Sequence, residues 1–136
     1  MAAPPNTLCH TDAARPIAVA YQTPQEVTQG EQTQTIVPST FEDALVLTNP
    51  KAVTDAAAAE LSCRMTRAFA EFIAEAQDPE DLAKALFDRL AKKPEKAAFA
   101  LDLLYIEDIK TLRAPPYINT GLTWLAGQLK GGEGAA

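Results

Sequence analysis

A short basic segment beside a glutamate is the part of this sequence best suited to chemistry. Lys92–Lys96 contains Pro94 and leads into an apolar run that ends at Leu101. Proline fits the first position of a helix because its missing N–H would have no intrahelical acceptor there. The sequence therefore predicts a helix from Pro94 to about Tyr105, with Glu95 and Lys96 in its first turn. Unpaired N–H groups at a helix N-terminus attract phosphate, and a lysine in that turn adds a full positive charge.

The same charges have a plainer interpretation as part of a solvated surface. Lys92, Lys93, Glu95 and Lys96 are residue types that lie on the outside of most proteins. Exposed ion pairs among such residues contribute little to stability. Their spacing alone does not separate this interpretation from an anion-binding one, and both stay open.

Composition restricts the classes of function. The chain has 136 residues, enough for one domain with a core, and its 47% apolar and 22% charged residues are typical of globular proteins. Its net charge of −6 and pI of about 4.7 argue against an autonomous nucleic-acid binder, which usually has a basic face. A metal nuclease is still compatible with this charge, because its site must concentrate carboxylates.

Cysteine usage and hydropathy indicate the compartment. Cys9 and Cys63 lie far apart and have neither C-x-x-C nor Cys/His spacing, which predicts a reduced, cytoplasmic protein without zinc. No apolar run reaches the roughly 18 residues that a membrane span needs, and no signal-peptide pattern opens the chain. We expect neither secretion nor a membrane partner.

The fold expected from sequence pattern is α+β, or a truncated α/β fold, with one or two N-terminal strands followed by four or five helices. Alternating large and small residues predict a strand over Ile17–Tyr21, and Thr35–Val37 is a candidate second strand. The polar segment Gln22–Gln34 is expected to form a loop or a weak hairpin.

Helical periodicity dominates after residue 38. Ser39–Glu42 matches a capping box with Ser39 as N-cap and Glu42 at the third helical position, and this helix should end at Asn49-Pro50. Further helices are predicted over 55–77, from Pro79 after the cap Asp78, over 94–105, and over 117–129. The residues expected to face inward are Leu61, Met65, Phe69, Phe72, Ile73, Ala76, Leu82, Leu86, Phe87, Leu90, Phe99, Leu103 and Leu104. The last helix carries Ile118, Leu122, Leu125 and Leu129 at helical spacing.

Four pieces of the chain, taken in order, resemble the C-terminal part of the OLD (overcoming lysogenization defect) nucleases, which join an ATPase domain to a TOPRIM nuclease domain. The pieces are Ile17–Pro24, Thr40–Leu45 with Asn49 after it, Glu95–Leu101, and Leu112–Leu125. The resemblance covers residues 16–130. It implies a partial TOPRIM and helical domain over 16–130. The composition of the chain ends predicts a flexible lead-in at 1–15 and a flexible tail at 131–136.

The resemblance implies metal-dependent cleavage of DNA. Lys96 matches the catalytic lysine of the family, whose ammonium stabilises negative charge on the phosphate. Glu42 and Glu95 match acidic positions that contribute to a site for Mg²⁺ or Mn²⁺, where two ions clamp the attacking and leaving oxygens. For Glu42, the structural role in the capping box remains the alternative.

Other parts of the family pattern are missing from this chain. It has no early glutamate on a strand-to-helix turn, no Asp-x-Asp pair and no G-x-x-x-x-G-K-[ST] motif. We therefore expect the chain to be catalytically incomplete alone. Three hypotheses follow: a nuclease-derived domain whose composite site is completed by another chain, a non-catalytic interaction module derived from the nuclease tail, or an unrelated helical domain. A homodimer stays open.

Overall fold

The computed structural model describes residues 7–10, 17–92 and 94–135, which fall into two compact units. One unit combines the described parts of residues 1–23 and 114–136, and the other spans Pro24–Arg113. Strands precede helices, which confirms the α+β class with N-terminal strands and a helical tail. The elements are β1 Thr7–His10, β2 Ile17–Ala20, β3 Gln25–Gln29, β4 Gln32–Ile36, α1 Phe41–Thr48, α2 Pro50–Ala57, α3 Arg64–Glu75, α4 Pro79–Lys92, α5 Lys96–Leu104, a 3₁₀ turn Ile109–Thr111, and α6 Pro116–Ala135.

The first unit is a hairpin with one helix packed on it. Strands β1 and β2 pair antiparallel, and α6 packs against β2. Gly121 makes this approach possible, because a Cβ added there would lie only 3.0 Å from the Cβ of Ala20. Trp124 is buried, while Leu122, Leu125 and Leu129 are exposed. Gly121 and Trp124 lie against β2, while Leu122 and Leu125 line a shallow pocket beside it.

The second unit opens with a hairpin where the sequence predicted a loop or a weak hairpin. Strands β3 and β4 pair antiparallel around a turn in which Gly30 has φ +62°, a conformation that glycine adopts without strain. The Gln29 side-chain amide donates to the carbonyls of Ile73 and Ala76 at the end of α3. Gln34 Oε1 accepts the Glu80 N–H at 3.1 Å. The hairpin is thus fastened to α3 and α4.

Helix α1 has a capping box, but one residue later than the sequence predicted. Thr40 is the N-cap, and its Oγ1 accepts the Asp43 N–H at 3.2 Å, while Asp43 Oδ1 accepts the Thr40 N–H at 2.7 Å. The buried Asp43 carboxylate also accepts the Ser39 N–H at 2.9 Å. The assignment of Ser39 and Glu42 to these roles is wrong, and Glu42 has no capping function.

The long helix predicted over 55–77 is two helices instead. Pro50 begins α2 directly after α1, and the turn that follows Ala57 ends at Cys63, the N-cap of α3. Ser62 Oγ donates to the Ala57 carbonyl at 3.0 Å and accepts from Arg67 Nε at 2.9 Å, which stabilises the turn. Leu61 lies in this turn and is exposed, contrary to prediction.

The core of the second unit combines buried side chains of α1 to α5 with Val27 of β3. Phe69 and Phe99 pack edge to face with ring centroids 5.1 Å apart. The predicted inward residues that are buried here are Met65, Phe69, Leu82, Leu86, Leu90, Phe99 and Leu103. Phe87 and Leu104 are exposed, contrary to prediction, because each follows directly on a buried residue and so points to a neighbouring side of its helix.

Two further predictions concern the ends of the chain and the membrane. Residues 7–10 form β1 and α6 extends to Ala135, whereas residues 1–6, 11–16 and 136 lie outside the described residues. The flexible lead-in and tail therefore stay predictions.

In the described part of the chain, no helix combines the length and the apolar character needed to cross a membrane.

Candidate functional site

Helix α5 begins later than the sequence predicted. Lys96 is its first residue and Glu95 is the N-cap, without a side-chain capping bond, so Pro94 lies outside the helix. The Glu95 carbonyl accepts the Phe99 N–H at 2.9 Å, while the Glu95 N–H donates to Met65 Sδ at 3.4 Å. Only Lys96 of the predicted Glu95–Lys96 pair therefore lies in the first turn.

Lys96 and Glu42 come together although they lie far apart in the sequence. The distance from Lys96 Nζ to Glu42 Oε2 is 3.4 Å, which joins the start of α5 to the first turn of α1. The Lys96 side chain is 51% exposed and the Glu42 side chain 16%. The position of the capping box explains this contact. Asp43 caps α1, so the Glu42 carboxylate has no capping bond and pairs with Lys96.

Glu95, the other predicted metal ligand, has a different partner. Its Oε1 lies 3.4 Å from Arg89 Nη2, and the Arg89 side chain is the more buried of the two. The two predicted carboxylates are thus each neutralised by a separate cation. A two-ion site needs several carboxylates around one centre. Because Glu42 and Glu95 are bound to different cations, these two carboxylates do not by themselves form such a centre. The described residues contain no group of three or more potential metal ligands.

Asn49 follows one of the four segments that carry the family resemblance, and its side chain is bonded to another of them, Leu112–Leu125. Its buried side-chain amide donates to the Arg113 carbonyl at 2.7 Å and to the Leu45 carbonyl at 3.0 Å, and its Oδ1 accepts the Arg113 N–H at 2.7 Å. This set of bonds ties the end of α1 to the segment after the 3₁₀ turn. Asn49 therefore has a structural role here.

Sequence reasoning missed a second polar cluster, around Asp102. Its Oδ2 accepts the Thr66 hydroxyl at 2.6 Å and the Cys63 N–H at 2.8 Å, and Cys63 Sγ lies 3.1 Å from Thr66 Oγ1. Burial raises the pKa of the Asp102 carboxyl. The hydrogen bonds from Thr66 and Cys63 together lower it by more than burial raises it, so the pKa lies below its ordinary value. The one local signal was Cys63 three residues before Thr66, the spacing of an N-cap and its N–H donor, although cysteine is not among the preferred N-cap residues.

Asp102 lies in an open cleft of about 1510 Å³. The end of α2, the turn before α3, helix α5 and the segment from Tyr105 to Thr111 form its walls. Lys96, Glu42 and Glu95 are not among its lining residues. The Lys96–Glu42 pair and the Asp102 cleft are therefore separate features of the second unit.

We compared the chain with family models, curated proteins and solved structures, and none of the three comparisons gives a match.

Proposed function

We propose that this chain is a nuclease-derived subunit that contributes Lys96 and Glu42 to a composite site for DNA cleavage, completed by carboxylates of another chain. The observation that supports this proposal is the 3.4 Å approach of Lys96 Nζ to Glu42 Oε2. Both residues lie in segments that carry the resemblance, Glu42 in Thr40–Leu45 and Lys96 in Glu95–Leu101. The proposal retains the resemblance to the OLD and TOPRIM nucleases, with DNA as substrate and the cytoplasm as compartment.

Lys96 is suited to bind a phosphate at this position. It is the first residue of α5, where unpaired N–H groups and the helix dipole favour an anion. Its half-exposed ammonium can approach a phosphodiester from solvent while Glu42 holds it in place. In the reaction, this ammonium stabilises negative charge that develops on the phosphate oxygens.

The metal ligands belong, in this proposal, to the other chain. Glu42 is bound to Lys96 and Glu95 to Arg89, so neither carboxylate is held ready for an ion. Mg²⁺ or Mn²⁺ remains the ion that the resemblance implies. The purified chain alone is expected not to cleave DNA.

The test uses the tagged chain isolated from its own cells together with the protein bound to it. Nicking of supercoiled plasmid is measured in Mg²⁺ and in Mn²⁺ for the wild type, Lys96→Ala and Glu42→Gln. Lys51→Ala is the matched control, because Lys51 also forms an ion pair with a carboxylate but lies far more exposed. Lys96→Ala should lower the cleavage rate about 10²- to 10³-fold with the bound protein retained. Equal cleavage by Lys96→Ala and wild type would contradict the proposal.

The second candidate is a non-catalytic interaction module derived from the nuclease tail. It is supported by the ion pairs that Glu42 forms with Lys96 and Glu95 with Arg89, which engage both predicted metal ligands. On this hypothesis the bound protein is retained in Lys96→Ala, and the isolated complex cleaves in neither metal. Cleavage by the wild-type complex therefore separates the two candidates.

A further inference from the structure

The Asp102 cleft exposes large apolar side chains that a core would normally bury. Leu61, in the turn before α3, is 94% exposed, and Tyr105, at the end of α5, is 85% exposed. Leu101, on the same helix, is about half exposed and lines the same cleft. Neighbouring apolar groups left in water mark interaction surfaces more often than isolated ones do.

The charges around these side chains are predominantly negative. Four carboxylates line the cleft and Lys51 is its one lining cation among the described residues; the carboxylates are Asp55, Asp102, Glu107 and Asp108. Lys51 Nζ bonds Asp55 at 2.8 Å, and Asp102 is engaged by Thr66 and Cys63. The exposed Glu107 and Asp108 therefore give the rim of the cleft its negative potential.

We propose that this cleft binds a segment of another protein in which an apolar side chain is flanked by lysine or arginine. The apolar side chain would pack against Leu61, Leu101 and Tyr105, and the basic groups would face Glu107 and Asp108. An arginine can also stack on the exposed Tyr105 ring. Nucleic acid is a poor occupant, because its phosphates would meet the same negative charge.

This inference goes beyond the proposed nuclease role and does not depend on it. Neither Lys96 nor Glu42 lines the cleft. Loss of peptide binding in the cleft and loss of plasmid cleavage are therefore separate results, each tied to different residues.

The test uses two synthetic amphipathic peptides with identical leucine positions, one with lysine and one with glutamate at the polar positions. Binding to the full chain is followed by fluorescence anisotropy. The lysine peptide should bind, and Leu61→Ser and Tyr105→Ala should each weaken it about tenfold, as expected for truncation of a contact residue. Both side chains are exposed, so the fold is preserved. Leu129→Ser, which alters an exposed leucine outside the cleft, is the matched control.

A charge-reversal variant tests the electrostatic part of this proposal separately from the apolar contacts. Replacing Glu107 and Asp108 together by lysine should weaken the lysine peptide and strengthen the glutamate peptide. The proposal is overturned if the lysine peptide binds Leu61→Ser and Tyr105→Ala as tightly as wild type. It is equally overturned if the peptide shifts amide NMR signals of α6 rather than those around Leu61 and Tyr105.

Discussion

Glu42 and Asp102 are both carboxylates whose partners lie in a distant part of the chain, but the partners differ in kind. Asp102 accepts two neutral donors, the Thr66 hydroxyl and the Cys63 N–H, at 2.6 and 2.8 Å. Glu42 faces a single ammonium at 3.4 Å, on a lysine that is half exposed. A carboxylate held by several short bonds within a packed junction stabilises that junction, whereas the half-exposed ammonium beside Glu42 stays accessible to an anion from solvent.

The largest expected effect on stability comes from Asp102. Asp102→Asn weakens both bonds, and we expect a loss of about 2 kcal/mol in the free energy of unfolding, since bonds to a charged acceptor are the stronger class. Urea denaturation measures it. Asp88→Asn, at an exposed position of α4, is the control and should change stability by less than about 0.5 kcal/mol. Equal effects of the two substitutions would remove the contrast between Asp102 and Glu42.

The second prediction concerns pH. The pKa of Asp102 lies below its ordinary value of 3.8, so the folded state favours the ionised carboxylate. Its contribution to stability is therefore fully present above pH 3.8 and is lost as pH falls through the folded-state pKa. The stability difference between wild type and Asp102→Asn should shrink in this acid range. A difference that stays constant during acid titration would contradict this assignment.

The third prediction is a smaller coupling between Lys96 and Glu42. A double-mutant cycle with Lys96→Ala and Glu42→Gln should give about 0.5–1 kcal/mol, because the ammonium is half exposed. The same substitutions are expected to impair cleavage much more than stability. A coupling as large as the effect of Asp102→Asn would assign Glu42 a structural role instead.

The smallest effect is expected at Lys51. Its Nζ bonds Asp55 at 2.8 Å, a shorter distance than in the Lys96–Glu42 pair, and the hydrogen bond to Asp55 raises the pKa of Lys51. The pair is nevertheless solvated and spans one helical turn, so Lys51→Ala should change the stability of the fold least among these substitutions. Thermal unfolding compares it with Lys96→Ala. A larger loss of stability in Lys51→Ala than in Lys96→Ala would show that the length of the ion pair determines its contribution to stability more than its solvent exposure does.

Local sequence signals predicted several elements well. Asn49-Pro50 ends one helix, Pro79 begins another, and the stripe Leu82, Leu86 and Leu90 is buried. These signals work because a proline or a helical period acts over only a few residues. The same reasoning placed the capping box one residue early, since Thr40 and Asp43 satisfy the pattern as well as Ser39 and Glu42 do.

Sequence by itself determined the class of the fold and the start of α4 at Pro79, and it supplied the candidate residues Lys96, Glu42 and Glu95. Only the tertiary structure decided that Lys96 forms an ion pair with Glu42, whereas Glu95 forms one with Arg89. It also decided that Asp102 joins Cys63 and Thr66. The physical reason is range: caps and helical periods are set by neighbouring residues, whereas these pairs form only where packed helices bring distant side chains together.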